Sequence, residues 1–258
     1  MNQMSIITLT TDFGTADGYV GAVKGVILSL ASGVTLVDIT HDVPRHDVRF
    51  GAQVLAAAAP HFPPGTIHLA VVDPGVGGAR RGVALQTRGA TFVGPDNGLF
   101  TPFLGQRMAC VALTNPDTHR QPTSSTFHGR DIFGPVAAHL ANGAPLSDLG
   151  PEVFDPVALP TSRPRRLPDG RLLAEVVHVD RFGNLVTNLT TETMEGQASR
   201  VRVAGHNLSV GSTYADVAPG ELLALVGSDG HLEIAARDGS AAERLDAGIG
   251  TPVEIEGA

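Results

Sequence analysis

Four short stretches of this chain carry polar groups in patterns that could do chemistry. In VVDPGVGGARR, Asp73 closes a run of β-branched residues and Arg80 follows seven positions later, across a glycine-rich turn. The glycines permit positive φ and close backbone approach, so the loop can fold back and pair the guanidinium with the carboxylate. That pair is either a structural clasp on a tight turn or part of a site, and Arg81 is expected to face solvent. His128, in TSSTFHGRDIFG, lies in a Ser/Thr/Gly loop that feeds a helix. It is either a satisfied surface group or, with Asp73 and Arg80, the third member of a set that orients one water molecule. Asp12, in LTTDFGTADGYVG, stands where the first strand ends. It can accept two hydrogen bonds from vicinal hydroxyls, as on a ribose, or cap the helix that follows. VDRFGNLVTN sets Asp180, Phe182, Asn184 and Asn188 around a glycine. This is a hairpin turn with Asn and Asp in their usual places, or an amino-acid clamp with Asp180 on an ammonium and Asn184 on a carboxylate.

Other chemistries fit less well. His41, Asp42, His46, Asp47, His68, Asp73 and His128 are metal-ligand types, but no HExxH or HxH spacing joins them. An arginine beside Asp73 is a poor neighbour for a cation, so no metal site is expected. The spaced glycines of a dinucleotide fingerprint are absent after the first strand, which argues against a nicotinamide-dependent oxidoreductase.

The elements that must position these groups follow from periodicity. Strands are expected at 5–10, 34–39, 66–72, 83–87, 91–94 and near 109–114. Helices are expected at 19–30, 47–59, near 97–104 and at 131–141, with Val20, Val23, Ile27 and Leu30 on one face of the first. The alternation implies an α/β domain with a mostly parallel sheet covered on both faces, spanning residues 1–160. In an open parallel sheet, ligands bind beyond the carboxyl ends of the strands, which is where Asp12 and Asp73 fall. Residues 159–171, LPTSRPRRLPDGR, are rich in Pro and Arg without periodicity and read as a linker. Period-two strands at 172–179, 199–204, 221–226, 231–236 and 252–256 then imply a smaller antiparallel, barrel-like domain over 172–258.

Composition narrows the partners. With 42% hydrophobic and 17% charged residues the chain is a folded globular one. Its net charge is −8 and its longest basic cluster is Arg-Pro-Arg-Arg at 163–166, so nucleic acid is not an expected partner. The lone Cys110 excludes an intrachain disulfide and fits a reducing cytoplasm. The segment MNQMSIITLT has neither a basic leader nor an apolar stretch long enough to span a bilayer, so a cytoplasmic location away from membranes is expected.

Taken together, LTTDFGTADGYVGAVKG, DITHDVPRHDV, VVDPGVGGARR, GPDNGLF, TFHGRDIF and VDRFGNLVTN, in this order, resemble the S-adenosyl-L-methionine (SAM) hydroxide adenosyltransferases. These are relatives of the SAM-dependent fluorinase and chlorinase, and SDGHLEIAARDGSA at 228–241 extends the likeness. The resemblance implies an N-terminal α/β domain, a C-terminal barrel-like domain and a homotrimer with sites between one subunit's N-domain and its neighbour's C-domain. It implies hydrolysis of SAM to adenosine and L-methionine by water attacking ribose C5′, with SAM as substrate and no metal or cofactor. Asp73, Arg80 and His128 would handle the water, with Asp73 and His128 accepting its hydrogen bonds and Arg80 fixing Asp73. Asp12 would take the ribose hydroxyls and Phe127 would contact substrate. Asp180, Phe182, Asn184 and Ser228 would surround the methionine moiety. The halogenating relatives carry Tyr at the position of Asp73 and a small hydroxyl residue at that of Gly129. Asp229 stands where the fluorinase has an arginine on the substrate carboxylate, leaving that group to Asn184, backbone amides or Arg237. A SAM-dependent halogenase, a non-catalytic SAM- or adenosine-binding protein and a metal-dependent hydrolase are the rival readings.

Overall fold

The computed structural model describes residues 5–194 and 200–256. The chain divides into two compact units, Met1–Leu159 and Pro160–Ala258.

The first unit runs β1 (Ile6–Thr11), α1 (Tyr19–Leu30), β2 (Thr35–Thr40), α2 (Val48–Ala58), β3 (Thr66–Val71), β4 (Gly82–Thr87), β5 (Ala90–Pro95), β6 (Arg107–Ala112) and α3 (Gly134–Ala141). Its sheet has the order β2-β1-β3-β5-β4-β6. The first four strands are parallel, whereas β4 is antiparallel to both neighbours, because β4 and β5 form a hairpin. All six residues of β3 are buried. Their side chains alternate between two cores: Leu69 and Val71 pack with Val23, Ile27 and Phe133 under α1 and α3, while Ala70, together with Val72 just beyond the strand, packs with Leu55, Phe92 and Phe100 on the α2 side. Sheet and helices thus fill both faces, as the alternation implied.

Local departures have local causes. On α1 only Val23 and Ile27 are buried, and Leu30 at the helix end is 42% exposed. The helix expected near 97–104 is a short 3₁₀ segment at Thr101–Gln106. The helix expected from 131 begins instead as a wide π-turn, Gly129–Phe133, that runs into α3. Asp47 caps α2 by accepting the Phe50 N–H at 2.8 Å.

The second unit contains β7 (Arg165–Arg166), β8 (Leu172–Val179), β9 (Leu185–Thr190), α4 (Thr191–Met194), β10 (Arg200–Val203), β11 (His206–Leu208), β12 (Leu222–Val226), β13 (His231–Ala236), α5 (Ala241–Leu245) and β14 (Pro252–Glu256). Its strands pair antiparallel in the order β11-β10-β14-β8-β9-β13-β12, with β7 added to β8. The chain just after β11 reaches back to β12: the Gly211 N–H donates to Ala224 O at 2.8 Å and the Ala224 N–H to Ser209 O at 3.0 Å. The sheet is therefore nearly closed, with Leu172, Ala174, Val176, Leu185 and Ile234 inside. Strands β9 and β11 were not expected from periodicity, and β7 lies in the stretch read as a linker. The first residue of the strand expected at 199–204 lies outside the described residues. Among the described residues no helix is long and apolar enough to cross a membrane.

One core group gives the first unit a pH signature. His68, in the middle of β3, is fully buried, stacked on Phe92 at 5.0 Å, and its Nδ1 is 2.8 Å from Thr8 Oγ1. Burial pushes its pKa down to about 4 from 6.5. Between those values the unfolded chain binds a proton that the folded chain does not. Stability is therefore complete above pH ~6.5 and falls by about 3 kcal/mol as the pH drops to ~4. An NMR titration of the His68 ring checks this; a midpoint at or above that of a free imidazole would show that the ring is not desolvated.

Candidate active site

Two parallel neighbours end side by side. Thr11 of β1 pairs with Val71 of β3, so Asp12 and Asp73 leave the sheet on the same edge. After Asp73 the chain makes two tight turns, with the Val76 N–H on Asp73 O and the Gly78 N–H on Gly75 O. Gly77 sits at φ +76°, and a Cβ placed there would overlap the carbonyl oxygen of Ser125. The turn is thus seated directly against the loop that carries His128. It returns Arg80 onto Asp73: Nε donates to Oδ1 at 2.9 Å and to Oδ2 at 3.1 Å, and Nη2 donates to Oδ2. Their side chains are 12% and 5% exposed.

The His128 loop is held by a buried carboxylate. Asp131 is fully buried and accepts from the Ser124 N–H at 2.9 Å, from Arg130 Nε and Nη2 at 2.7 Å each, and from Arg120 Nη1 at 3.2 Å. Burial would raise its pKa, but these donors hold it below the ordinary carboxylate value. The π-turn begins immediately after His128, which lets the chain enter α3 while the imidazole faces Arg80. Arg80 Nη2 lies 2.7 Å from His128 Nδ1. A guanidinium cannot accept, so Nδ1 accepts, and the neutral ring carries its proton on Nε2. Burial, and then the charge of Arg80, lower the pKa of His128, which keeps the ring neutral. The expectation that His128 accepts a hydrogen bond from water is therefore revised: in this arrangement its free nitrogen is a donor.

Asp73 and His128 line a cavity of about 370 Å³ together with Asp12, Phe13, Tyr19, His46 and Phe127. Asp12 does not cap α1, whose N-cap is Gly18 without a side-chain bond. Its Oδ2 accepts the N–H of His46, a residue at φ +66°. Phe13, Tyr19 and Phe127 meet edge to face at 5.3–6.3 Å, and Arg130 lies over the Phe127 ring at 5.0 Å. A Cβ on Gly129 would touch Phe13 at 3.2 Å. Phe13 and Tyr19 were not singled out from sequence, and His46 was weighed there only as a metal-ligand type; their signal for this site is their place inside the quoted motifs.

In the second unit the Asp180 turn satisfies itself. Asp180 Oδ1 accepts the N–H groups of Phe182 and Asn184 at 2.8 Å each, and Oδ2 accepts Asn184 Nδ2 at 2.9 Å. Gly183 supplies φ +81°. Asn184 is buried, whereas Phe182 stands out at 77% exposure. Ser228 is exposed in the Gly227–Gly230 turn, and Asp229 pairs with His231 at 3.1 Å. Burial, assisted by Asp229 and Asp180, raises the pKa of Glu233, which accepts from the Tyr214 hydroxyl at 3.2 Å. Arg237 Nη1 donates to Val217 O at 2.8 Å.

Arg81 does not simply face solvent. It donates to Asp96 at 2.8 Å and to Asp155 at 2.8 Å. Among the described residues no group of three or more His, Cys, Asp or Glu side chains is placed to hold a metal ion.

Models of the SAM hydroxide adenosyltransferase N-terminal and C-terminal domains match residues 7–150 and 174–254. A protein from Salinispora tropica named (R)-S-adenosyl-L-methionine hydrolase is 48% identical over 244 residues, 93% of each chain. A fluorinase from an Actinoplanes species is 29% identical over 91% of each chain. The crystal structure of a conserved protein from Thermotoga maritima superposes with a TM-score of 0.90 at 36% identity, covering 97% of this chain and 100% of the other.

The contact at Gly77 yields an expected outcome. Gly77→Ala adds left-handed strain of about 1–2 kcal/mol and drives a methyl group into the Ser125 carbonyl. Gly33→Ala, also at positive φ but with nothing near its Cβ, adds strain alone. Thermal unfolding should rank Gly77→Ala below Gly33→Ala, and only Gly77→Ala should impair turnover. Equal melting points with intact turnover would show that the turn is not seated on the His128 loop.

Proposed function

The chain belongs to the SAM hydroxide adenosyltransferase family, and on that premise we propose that it hydrolyses (R)-S-adenosyl-L-methionine to adenosine and L-methionine. The observation that carries this reading is the hydrogen-bonded set Asp73–Arg80–His128, in which Arg80 joins two residues of the cavity wall, Asp73 and His128. Water attacks ribose C5′: the C5′–O bond forms as the C5′–S bond breaks, and the electron pair leaves with sulfur as a neutral thioether. The proton lost from the water passes to Asp73 and then to solvent. The thioether needs no general acid, so the protein's work is to place one water and exclude others. The Nε2–H of His128 donates to the water oxygen, the Asp73 carboxylate accepts from the water, and Arg80 holds both side chains in register. As hydroxide character develops beside the sulfonium, opposite charges annihilate, which a dry pocket favours.

The remaining roles follow the chemistry of each group. Asp12, with Oδ1 free of the His46 contact, takes the ribose hydroxyls, and Phe13, Tyr19 and Phe127 pack against the nucleoside. Asp180, Phe182, Asn184 and Ser228 hold the methionine moiety. Hydrolysis is favoured over halogenation because the Asp73 carboxylate would repel a halide at the nucleophile's position, and because the hydrolase relative is the nearer of the two named proteins. No metal or cofactor takes part, and a reducing cytoplasm is the setting that the single buried Cys110 suits. The name of the Salinispora relative specifies the (R) sulfonium, a stereocentre that a shaped pocket can distinguish.

Product analysis tests the reaction. The protein, incubated with separated (R) and (S) epimers in chloride-free buffer containing EDTA, should release adenosine and methionine from the (R) epimer. A 5′-halogenated nucleoside formed on adding chloride would make it a halogenase, and loss of activity in EDTA would make it a metallohydrolase. Asp73→Ala and His128→Ala should each bind substrate yet lose about 10²–10⁴ in kcat; binding and turnover lost in parallel would make them substrate contacts instead.

The family resemblance supports a homotrimer in which each site joins the N-domain of one chain to the C-domain of the next, as head-to-tail cyclic symmetry allows. Mixing inactive His128→Ala and Asn184→Ala chains after dissociation and reassembly should partly restore activity. Verified mixed oligomers without recovery would mean that each chain builds its site alone.

A further inference from the structure

Two loops, residues 12–14 after β1 and 41–47 after β2, contribute Asp12, Phe13, Arg45 and His46 to the cavity wall. A buried histidine that the proposed reaction does not use joins them. His41 is 6% exposed. Its carbonyl accepts the Gly14 N–H at 2.8 Å, its Nδ1 lies 2.8 Å from Thr11 Oγ1, and its Nε2 stands 3.0 Å from Asp38 Oδ1. Asp38 in turn meets Lys24 Nζ at 2.6 Å. Burial would raise the Asp38 pKa, but Lys24 and His41 hold it below the ordinary value, so it is an acceptor only.

That fixes a direction along the chain of contacts. With the ring proton on Nε2, the nitrogen 3.0 Å from Asp38 Oδ1, Nδ1 is left to accept. The Thr11 hydroxyl then donates to Nδ1, and its oxygen is free to accept the Phe13 N–H, which it does at 3.3 Å. Between Thr11 and Phe13 lies Asp12, whose Oδ2 accepts the His46 N–H at 2.9 Å, and the Thr11 carbonyl accepts the Val43 N–H at 3.3 Å. Both loops contain a residue at positive φ, Gly14 and His46, and beyond Thr11 and Thr40 neither is paired in the sheet. Among the described residues, the hydrogen bonds between them run through His41, Thr11 or Asp12 itself.

We propose that Asp38, His41 and Thr11 form a positioning relay that sets Asp12 and Phe13 for the nucleoside end of the substrate. The proposal rests on the hydrolase reading above. Without the relay the loop is ordered only when ligand binds, and the free energy of ordering is subtracted from affinity. Asp12 contacts ribose hydroxyls that do not react, so its loss of order weakens ground state and transition state alike. The signature is a raised KM with kcat retained.

The test compares Thr11→Val, which removes the hydroxyl at nearly constant shape, with Thr11→Ser, which keeps it, and with His41→Ala. Calorimetry gives the affinity for adenosine and for L-methionine, and kinetics give kcat and KM for the (R) epimer. Thr11→Val and His41→Ala should weaken adenosine and raise KM by about tenfold, the effect of leaving roughly one residue unordered. Methionine affinity and kcat should stay at the wild-type values, and Thr11→Ser should behave as wild type. A merely structural role would lower the melting temperature and leave the affinity of the folded fraction untouched, which overturns the relay. Equal loss of affinity for both products, or a fall in kcat at unchanged KM, also overturns it. Should His41→Ala fail to fold, the Thr11 pair decides alone. Adenosine that does not bind even the wild-type protein would overturn the hydrolase reading itself.

Discussion

Arg80 can only donate hydrogen bonds, and that restriction orders the site around it. With Asp73 on one side and His128 Nδ1 on the other, its fork demands two acceptors, so the imidazole must offer a lone pair and keep its proton on Nε2. A protonated His128 would set two cations and two donors against each other in a poorly solvated corner, and burial and Arg80 both act to prevent it. The face of the guanidinium lies 5.3 Å from the Phe133 centroid, a contact that suits a cation over a ring. One side chain thus helps to keep the His128 ring neutral, sets its tautomer and so fixes which of its nitrogens carries the proton.

Holding Arg80 there falls to backbone that other residues cannot replace. Its side chain runs so close to Gly75 that a Cβ there would lie 3.1 Å from Arg80 Cγ, and a Cβ on Gly82 would lie 2.8 Å from the Phe133 ring. Gly77 brings the turn onto the Ser125 carbonyl. The sheet supplies a rigid edge, and the loops beyond it are secured by buried polar groups, Asp131 for one and His41 for the other. Loops present many unpaired backbone N–H groups, which apolar packing cannot satisfy but a buried carboxylate or imidazole can. The π-turn after His128 has the same logic, since it changes the helix entry without leaving α3 unsupported.

The second unit relies on a different economy of contacts. Its core side chains alternate along nearly closed antiparallel strands, and its notable polar groups are engaged within their own turns, as in the three N–H groups gathered by Asp180. Phe182 is left projecting from a turn whose polar atoms are already bonded, an arrangement that fixes the aromatic base while exposing its ring. The turn that carries the motif is therefore held by its own hydrogen bonds.

The amino-acid sequence by itself determined the α/β character of the first unit and the antiparallel β character of the second, because hydrophobic period follows backbone period. It placed α1 at 19–30, β8 at 172–179 and β13 at 231–236 to the residue. It also singled out Asp12, Asp73, Arg80 and His128, since strand ends and glycine turns mark where polar groups can leave a sheet. It missed β9, whose first three residues are all buried and so show no alternation. Only the tertiary structure decided that Asp12 bonds to His46 rather than to α1, that Arg81 is tied to Asp96 and Asp155, and that His128 Nδ1 accepts from Arg80, which leaves the ring proton on Nε2. Each of those outcomes depends on partners between 15 and 74 positions away. Hydrogen-bond direction is a property of the pair, so residue type alone cannot supply it until packing has chosen the neighbour.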